Sequence, residues 1–257
     1  MATTVLSGTS GALYYKPAGT TAAFGPSDVT VAGAILNVGS YFNFKVGDPV
    51  RFRVVNQAGG TATGTLPAGI TAGTTYYVIG YNAATGALTV SSTLGGSVIS
   101  ITTPGTAVSP NKFEAFYADF VVVGQVRSWN FDISRAEIDV TTIGQTPGQY
   151  VPFRNYISGF GDGNGTCTVY MADDDFAVAN RMVEDVLQRQ QGGAAFKLYT
   201  NRIISSGTTV DETKSRSITM DAILTSAALS VDPDNAQSID IAFRPATTPT
   251  FDFLTTT

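Results

Sequence analysis

The chain has 257 residues, with 15 Lys and Arg against 20 Asp and Glu for a net charge of -5, no histidine and one cysteine. That inventory excludes imidazole general bases, His-containing triads, His-ligated zinc and any intramolecular disulfide, and a net negative chain without a basic run excludes ordinary phosphate-gripping nucleic-acid binding. Charged residues at 14% fall below the roughly 25% of soluble domains, and with 27 Gly they indicate a β-rich protein with weakly charged surfaces.

The charge is unevenly spread. Residues 1–110 carry four bases (Lys16, Lys45, Arg51, Arg53) and two acids (Asp28, Asp48), a net of +2, and the remaining 11 bases and 18 acids give residues 111–257 a net of -7. No run approaches the roughly 18–20 apolar residues of a membrane span, and Met1-Ala-Thr-Thr-Val-Leu-Ser-Gly8 lacks a basic region followed by an apolar stretch, so neither a secretion signal nor a membrane anchor is expected.

In chain order, residues 1–27 read as an arm with a first strand. Alternation from Phe42 to Val55, with Val50, Phe52 and Val54 opposite Arg51 and Arg53, predicts a half-buried strand. Tyr76-Tyr-Val-Ile79, a turn at Asn82-Ala-Ala-Thr-Gly86 and Leu88-Thr-Val90 predict a strand, turn and strand, and Val98, Ile99 and Ile101 predict one more. These short strands, without helical periodicity, indicate a small all-β module spanning 28–110 and inserted into a larger unit.

From 111 to 257 the pattern is that of an antiparallel β-sandwich or barrel with one flanking α-helix. Trp129, Phe131 and Ile133 alternate with Ser128, Asn130 and Asp132, and strands are expected at 154–160, 166–171, 196–204, 218–224 and 238–243. A helix is expected over 174–191, with Phe176, Ala179, Val183, Val186 and Leu187 on one stripe, Asp173, Asp174 and Asp175 at its start and Gly192-Gly193 at its end.

The search for chemistry comes out empty. Cys167 lies on a strand with no histidine to activate it and reads as a packed small hydrophobe. The triple aspartate reads as a helix start rather than a cation site, because it lacks the spacing of a calcium loop. Gly161-Asp-Gly-Asn-Gly165 has no following Lys and an Asp that repels phosphate, so it reads as a hairpin turn, and Asp232-Pro-Asp-Asn235 is likewise a turn. Arg51 and Arg53 beside Tyr76 and Tyr77 form a candidate cation–π or glycan-binding patch on the module surface, against the plainer reading of a solvated strand face. No catalytic residue, metal ligand or cofactor is expected, and the chain is not read as an enzyme.

Val123-Gly-Gln-Val-Arg-Ser-Trp-Asn-Phe-Asp-Ile-Ser-Arg-Ala-Glu-Ile-Asp-Val-Thr-Thr-Ile-Gly144 resembles the opening of bacteriophage major tail tube proteins, with their D-V-T-T-x-G turn. Tyr156-Ile-Ser-Gly159, the strand from Thr166 to Met171, and Ile223-Leu-Thr-Ser-Ala-Ala-Leu-Ser-Val231 leading to Phe243 follow in the family's order, over residues 115–250. Val5-Leu-Ser-Gly-Thr-Ser-Gly-Ala-Leu-Tyr-Tyr-Lys-Pro17 is similar to a tail tube start, and Phe44-Lys-Val-Gly-Asp-Pro-Val50 resembles a β-module inserted in phage structural proteins.

The resemblance implies the fold shared with type VI secretion tubes, six copies in a ring and rings stacked into a hollow, non-catalytic conduit. Its implied partners are other copies of itself, the tape measure protein, the tail terminator and the baseplate or distal tail proteins, with DNA passing through unbound. The implied location is the virion tail, assembled in the host cytoplasm. Asp132, Asp221 and Asp240 are the candidates for the lumen wall. Thr141, Thr142, Gly144, Pro147, Tyr150 and Phe153, with the arm 1–27 and the tail 245–257, are the candidates for contacts between subunits and rings. An 80-residue module does not fit a lumen that admits a duplex, so it is expected outside, where a contractile sheath would lie. A long, non-contractile tail is therefore expected. The alternative is a tail-fibre or extracellular module binding carbohydrate or host, and a polysaccharide hydrolase is a third option that lacks a supported carboxylate pair.

Overall fold

The computed structural model describes residues 10–17, 21–118, 120–124, 126–141, 154–171, 178–187, 194–207, 209–232 and 235–253. The architecture is mainly antiparallel β, with two large sheets, each over its own apolar core.

The chain starts in the first sheet with β1 (Ala12–Lys16) and crosses to the second for β2 (Thr21–Phe24), β3 (Val29–Thr30), β4 (Ile35–Asn37), β5 (Pro49–Asn56), β6 (Tyr76–Asn82), β7 (Ala87–Ser91) and β8 (Asn111–Tyr117). It returns as β9 (Val121–Val122) and continues with β10 (Val126–Asp139), β11 (Tyr156–Tyr170), α1 (Val178–Val186), β12 (Ala195–Asn201), a small hairpin of β13 (Ile204–Ser206) and β14 (Thr209–Val210), β15 (Arg216–Ser230), β16 (Ser238–Pro245) and β17 (Thr250–Asp252). Because β9 pairs directly with β1, the chain leaves and re-enters the first sheet at one place. The second sheet runs from 21 to 117, seven residues beyond each end of the 28–110 range, since β2 and β8 pair with each other from Thr21↔Phe116 to Phe24↔Phe113.

The second sheet has the order β2-β8-β5-β6-β7-β4-β3. Period-2 alternation sends Val50 and Phe52 inward with Phe24, Tyr76, Leu88 and Phe113, and Phe24 packs edge-on against both Phe52 and Phe113. Two expectations fail here. Residues 42–48 are loop rather than strand, closed by Asp48 N–H donating to Lys45 O at 3.1 Å. Residues 98–101 are also outside any strand, although Ile101 is buried and Ile99 N–H donates to Val90 O at 3.0 Å, because that single bond does not extend into a ladder.

The first sheet follows the order β10-β11-β16-β15-β12-β1-β9, with β17 also on β15. β15 holds it together: its first half pairs with β12, and its second half pairs with β16 across a register shift between Leu224 and Ser226. Through this strand β12 and β16 share one core, and Phe196 of β12 stacks on Phe243 of β16 with ring centroids 4.2 Å apart. α1 closes the core against β15 and β16 through buried Met182 and through Val183 and Val186. Leu187, expected on that stripe, is instead 86% exposed because it lies just past the helical residues. The flanks of the expected helix, with Asp173–Asp175, Phe176 and Gly192-Gly193, lie outside the described residues.

The Gly161–Gly165 stretch is a correction of greater consequence. It is no turn but the middle of one 15-residue strand, β11, paired with β10 through Asp132↔Asn164 and Ser134↔Asp162. A Cβ on Gly165 would fall 2.2 Å from Phe243 Cζ, and one on Gly163 would fall 2.9 Å from Pro245 Cγ. The glycines make room for the aromatic stack of Phe131, Phe243 and Phe196.

Candidate functional site: an assembly surface and a buried junction

β16 accompanies β11 only from Gly165↔Phe243 to Tyr170↔Ser238. Beyond that, the pairs from Asp132↔Asn164 to Asp139↔Tyr156 form a two-stranded ribbon with no third strand among the described residues. Its apolar side chains lie bare: Ile133, Ile138, Val140, Tyr156 and Ile157 are about half exposed and Phe160 is 92% exposed. An isolated two-stranded ribbon is marginal in water, and a row of bare apolar residues marks an interaction surface. At its far end Thr141 N–H donates to Asp139 Oδ1 at 2.9 Å, and Asn155 N–H donates to Thr141 Oγ1 at 2.9 Å. The hydrogen bonds from Thr141 hold the Asp139 carboxyl below its ordinary range. Thr142, Gly144, Pro147, Tyr150 and Phe153 lie outside the described residues.

In the body of the same sheet, the face turned away from the apolar core is polar and small. The register puts Ser128, Asn130 and Asp132 of β10 beside Thr168, Thr166 and Asn164 of β11, then Asp240 and Ala242 of β16 beside Ala228 and Ser226 of β15. Asp240 accepts a hydrogen bond from Thr168 Oγ1 at 2.6 Å. Asp221 sits on this face too, because the register shift in β15 compensates the odd spacing between Asp221 and Ser226, and Thr247 Oγ1 reaches it at 3.5 Å. Asp132, Asp221 and Asp240, the three candidates for the lumen wall, thus share one exposed face, joined by Asp162, with Arg244 3.8 Å from Asp162.

On the inserted sheet, Arg51, Arg53 and Tyr77 face outward, but Tyr76 does not. It is only 4% exposed, its ring meets Phe52, and its hydroxyl accepts from Thr71 N–H at 2.9 Å and donates to Gly69 O at 3.3 Å. Adjacent strand residues point to opposite faces, so one of two consecutive tyrosines must be core. Arg53 pairs with Glu114 and lies 4.7 Å from the Phe116 ring centroid, while Arg51 Nε donates to Thr75 Oγ1 at 3.1 Å. Within the described residues the cation–π partner of Arg53 is therefore Phe116, not a tyrosine.

Sequence reasoning missed a third constellation, where the two sheets meet. Arg181 and Asp185, one helical turn apart on α1, are both buried, and Asp185 is 0% exposed. Asp185 accepts from Tyr15 Oη of β1 at 2.6 Å and from Asn43 Nδ2 at 2.8 Å. Arg181 Nη2 donates to Tyr117 Oη of β8 at 2.6 Å and to Asn43 O, and lies 3.3 Å from Asp48 Oδ2. Tyr117 Oη and Lys45 N–H also donate to Asp48 Oδ2, the latter at 2.7 Å, and Lys45 Nζ meets Glu184 at 3.0 Å on the rim. Burial pushes the Asp48 carboxyl up to about 6 against the pull of Arg181, and burial beside the carboxylates raises both the Tyr15 and Tyr117 hydroxyls well above 10. These residues lie up to 170 positions apart in the sequence. The local signal was the Arg181, Asp185 spacing on a helix whose other face is apolar.

α1 therefore lies between the sheet, through Met182, and the inserted unit, through Arg181 and Asp185. The inserted unit stands on the helix side of the first sheet, away from the acidic face.

No family model and no curated protein matches the chain. Among solved structures it is similar to a chain in the virion of a native gene transfer agent particle, at 15% identity over 51% of this chain and 88% of that one, with a TM-score of 0.38. It is similar also to a chain in the tail of an empty gene transfer agent particle, at 15% identity over 51% and 85% with a TM-score of 0.36. The SPP1 tail tube aligns at 14% identity over 52% of this chain and 68% of that one, with a TM-score of 0.35.

Proposed function

We propose that this chain is the subunit of a hollow virion tail tube. The observation that carries the reading is the β10–β11 ribbon, without a third strand among the described residues and with Ile133, Ile138, Tyr156, Ile157 and Phe160 bare on its two faces, which neighbouring copies of the chain would cover. The resemblance of residues 115–250 to tail tube proteins supplies the arrangement: six copies side by side in a ring, and rings stacked through residues 141–153 and the terminal arms. Part of those arms has a fixed place in the subunit, since β1 lies between β12 and β9, and β17 pairs with β15.

The acidic face lines the bore on this reading, with Asp132, Asp221 and Asp240 on the wall. Like charge within a Debye length of roughly 8 Å keeps a passing duplex from adhering. The tape measure protein fills the bore before ejection, the terminator and the distal proteins close the ends, and assembly occurs in the host cytoplasm. The position of the inserted unit on the helix side supports its placement outside the tube, with Arg51, Arg53 and Tyr77 on its free surface, and a tail without a sheath. Phe160→Glu tests the reading. The residue is 92% exposed, so folding changes by less than about 0.5 kcal/mol, while a charge enters the proposed contact. Sedimentation velocity is expected to show large assemblies for the parent and monomers for the variant, and equal assembly of both would refute the role of the ribbon.

A further inference from the structure

We propose that the junction between α1 and the inserted unit is a one-proton latch: Asp48 and Asp185 share one guanidinium, Arg181, and a proton taken up on Asp48 docks the inserted unit more firmly against the helix. The inference stands on the buried cluster and does not depend on the tube reading.

The charge count motivates it. Facing one another are Asp48 and Lys45 from the 43–48 loop, Tyr117 from β8, Tyr15 from β1, and Arg181, Glu184 and Asp185 from α1. Lys45 and Glu184 pair on the exposed rim and cancel. The interior then holds one cation against two carboxylates among the described residues, a net negative charge where desolvation is costly. Asp185 has a donor on each oxygen, from Tyr15 and Asn43. Asp48 differs: Lys45 N–H, Tyr117 Oη and Arg181 Nη2 all converge on Oδ2, and no described residue donates to Oδ1. Oδ1 of Asp48 is thus the oxygen at which a proton neutralises the cluster without displacing a donor.

The sign and size follow from linkage. The Asp48 carboxyl, ordinarily at 3.8, is raised to about 6 by burial when docked, so the docked state holds the proton more tightly than the released one. Acid therefore favours docking, with the gain appearing as pH falls through about 6 and complete below 3.8. Between pH 8 and pH 5 the docking equilibrium should tighten about tenfold.

Amide hydrogen exchange of the full chain, expressed as protection factors at pH 5 and pH 8, tests this. Protection of residues 43–48 and 181–186 is expected to be about tenfold greater at pH 5, with no matching change in β5 and β8. Asp48→Asn is expected to abolish the pH response while keeping the segments protected. Asp48→Ala, which likewise removes the titrating carboxyl, should flatten it too if the first variant folds poorly. Protection factors equal within twofold at the two pH values, a response that persists in both variants, or one shared by β5 and β8 would overturn the proposal.

Discussion

Replacing Gly165 by Ala adds one methyl group where the structure has none to spare. The new Cβ would fall 2.2, 2.3 and 2.8 Å from three atoms of the Phe243 ring. The ring has little room to shift: Phe243 is fully buried, with the Phe196 ring 4.2 Å away and the Phe131 ring parallel to it at 6.4 Å. The clash is with a ring held by two neighbours rather than with the end of a flexible chain, so the cost belongs at the upper end of the roughly 1–3 kcal/mol of overpacking. Trp129, the single tryptophan, pairs with Cys167 two residues along β11 and reports on this core. Urea unfolding followed by its fluorescence should show a loss of about 3 kcal/mol, or about 1 M in the midpoint. In a double-mutant cycle, Phe243→Leu should be costly alone but recover part of the Gly165→Ala loss, giving a coupling of about 1 kcal/mol or more. A loss below about 0.5 kcal/mol, or strict additivity, would refute the packing argument.

Arg181→Met leaves Asp48 and Asp185 buried without their cation, and a loss of about 3–5 kcal/mol is expected by chemical denaturation. A loss under 1 kcal/mol would show that the guanidinium is not what compensates the two carboxylates. The thiol of Cys167, pushed up to about 12 chiefly by burial, should react with a disulfide reagent at pH 8 only once the chain is unfolded. Rapid labelling of the folded protein would contradict its place in the core. Asp132→Lys with Asp240→Lys should leave stability within about 0.5 kcal/mol, since both residues are exposed, while assembled protein should gain affinity for duplex DNA in co-sedimentation at low salt. Unchanged affinity would argue that this face does not line the bore.

What could be read from the residues follows physical range. β5, β6, β7 and β10 alternate with period 2 and were visible because the signal is local. The sharing of a face by Asp132 and Asp240 followed from the same alternation, and the inclusion of Asp221 depended on a register shift that no local pattern announces. Gly161–Gly165 looked like a turn by composition, and only the aromatic rings above Gly165 and Gly163 explain why glycines continue a strand there. Tyr76 and Tyr77 read as a surface pair by proximity in sequence, although a strand separates them onto opposite faces. The junction was beyond reach for a different reason. Tyr15, Asn43, Asp48, Tyr117, Arg181 and Asp185 come from four separate segments, and only the return of the chain from β8 to the strand beside β1 brings them together.

The most direct test of the central claim is electron microscopy of the purified chain, concentrated across a range of salt. Hollow tubes of six-fold rings, smooth within and carrying knobs without, are the predicted result. Monodisperse monomers or trimers at every concentration would contradict the tube and favour a free binding module.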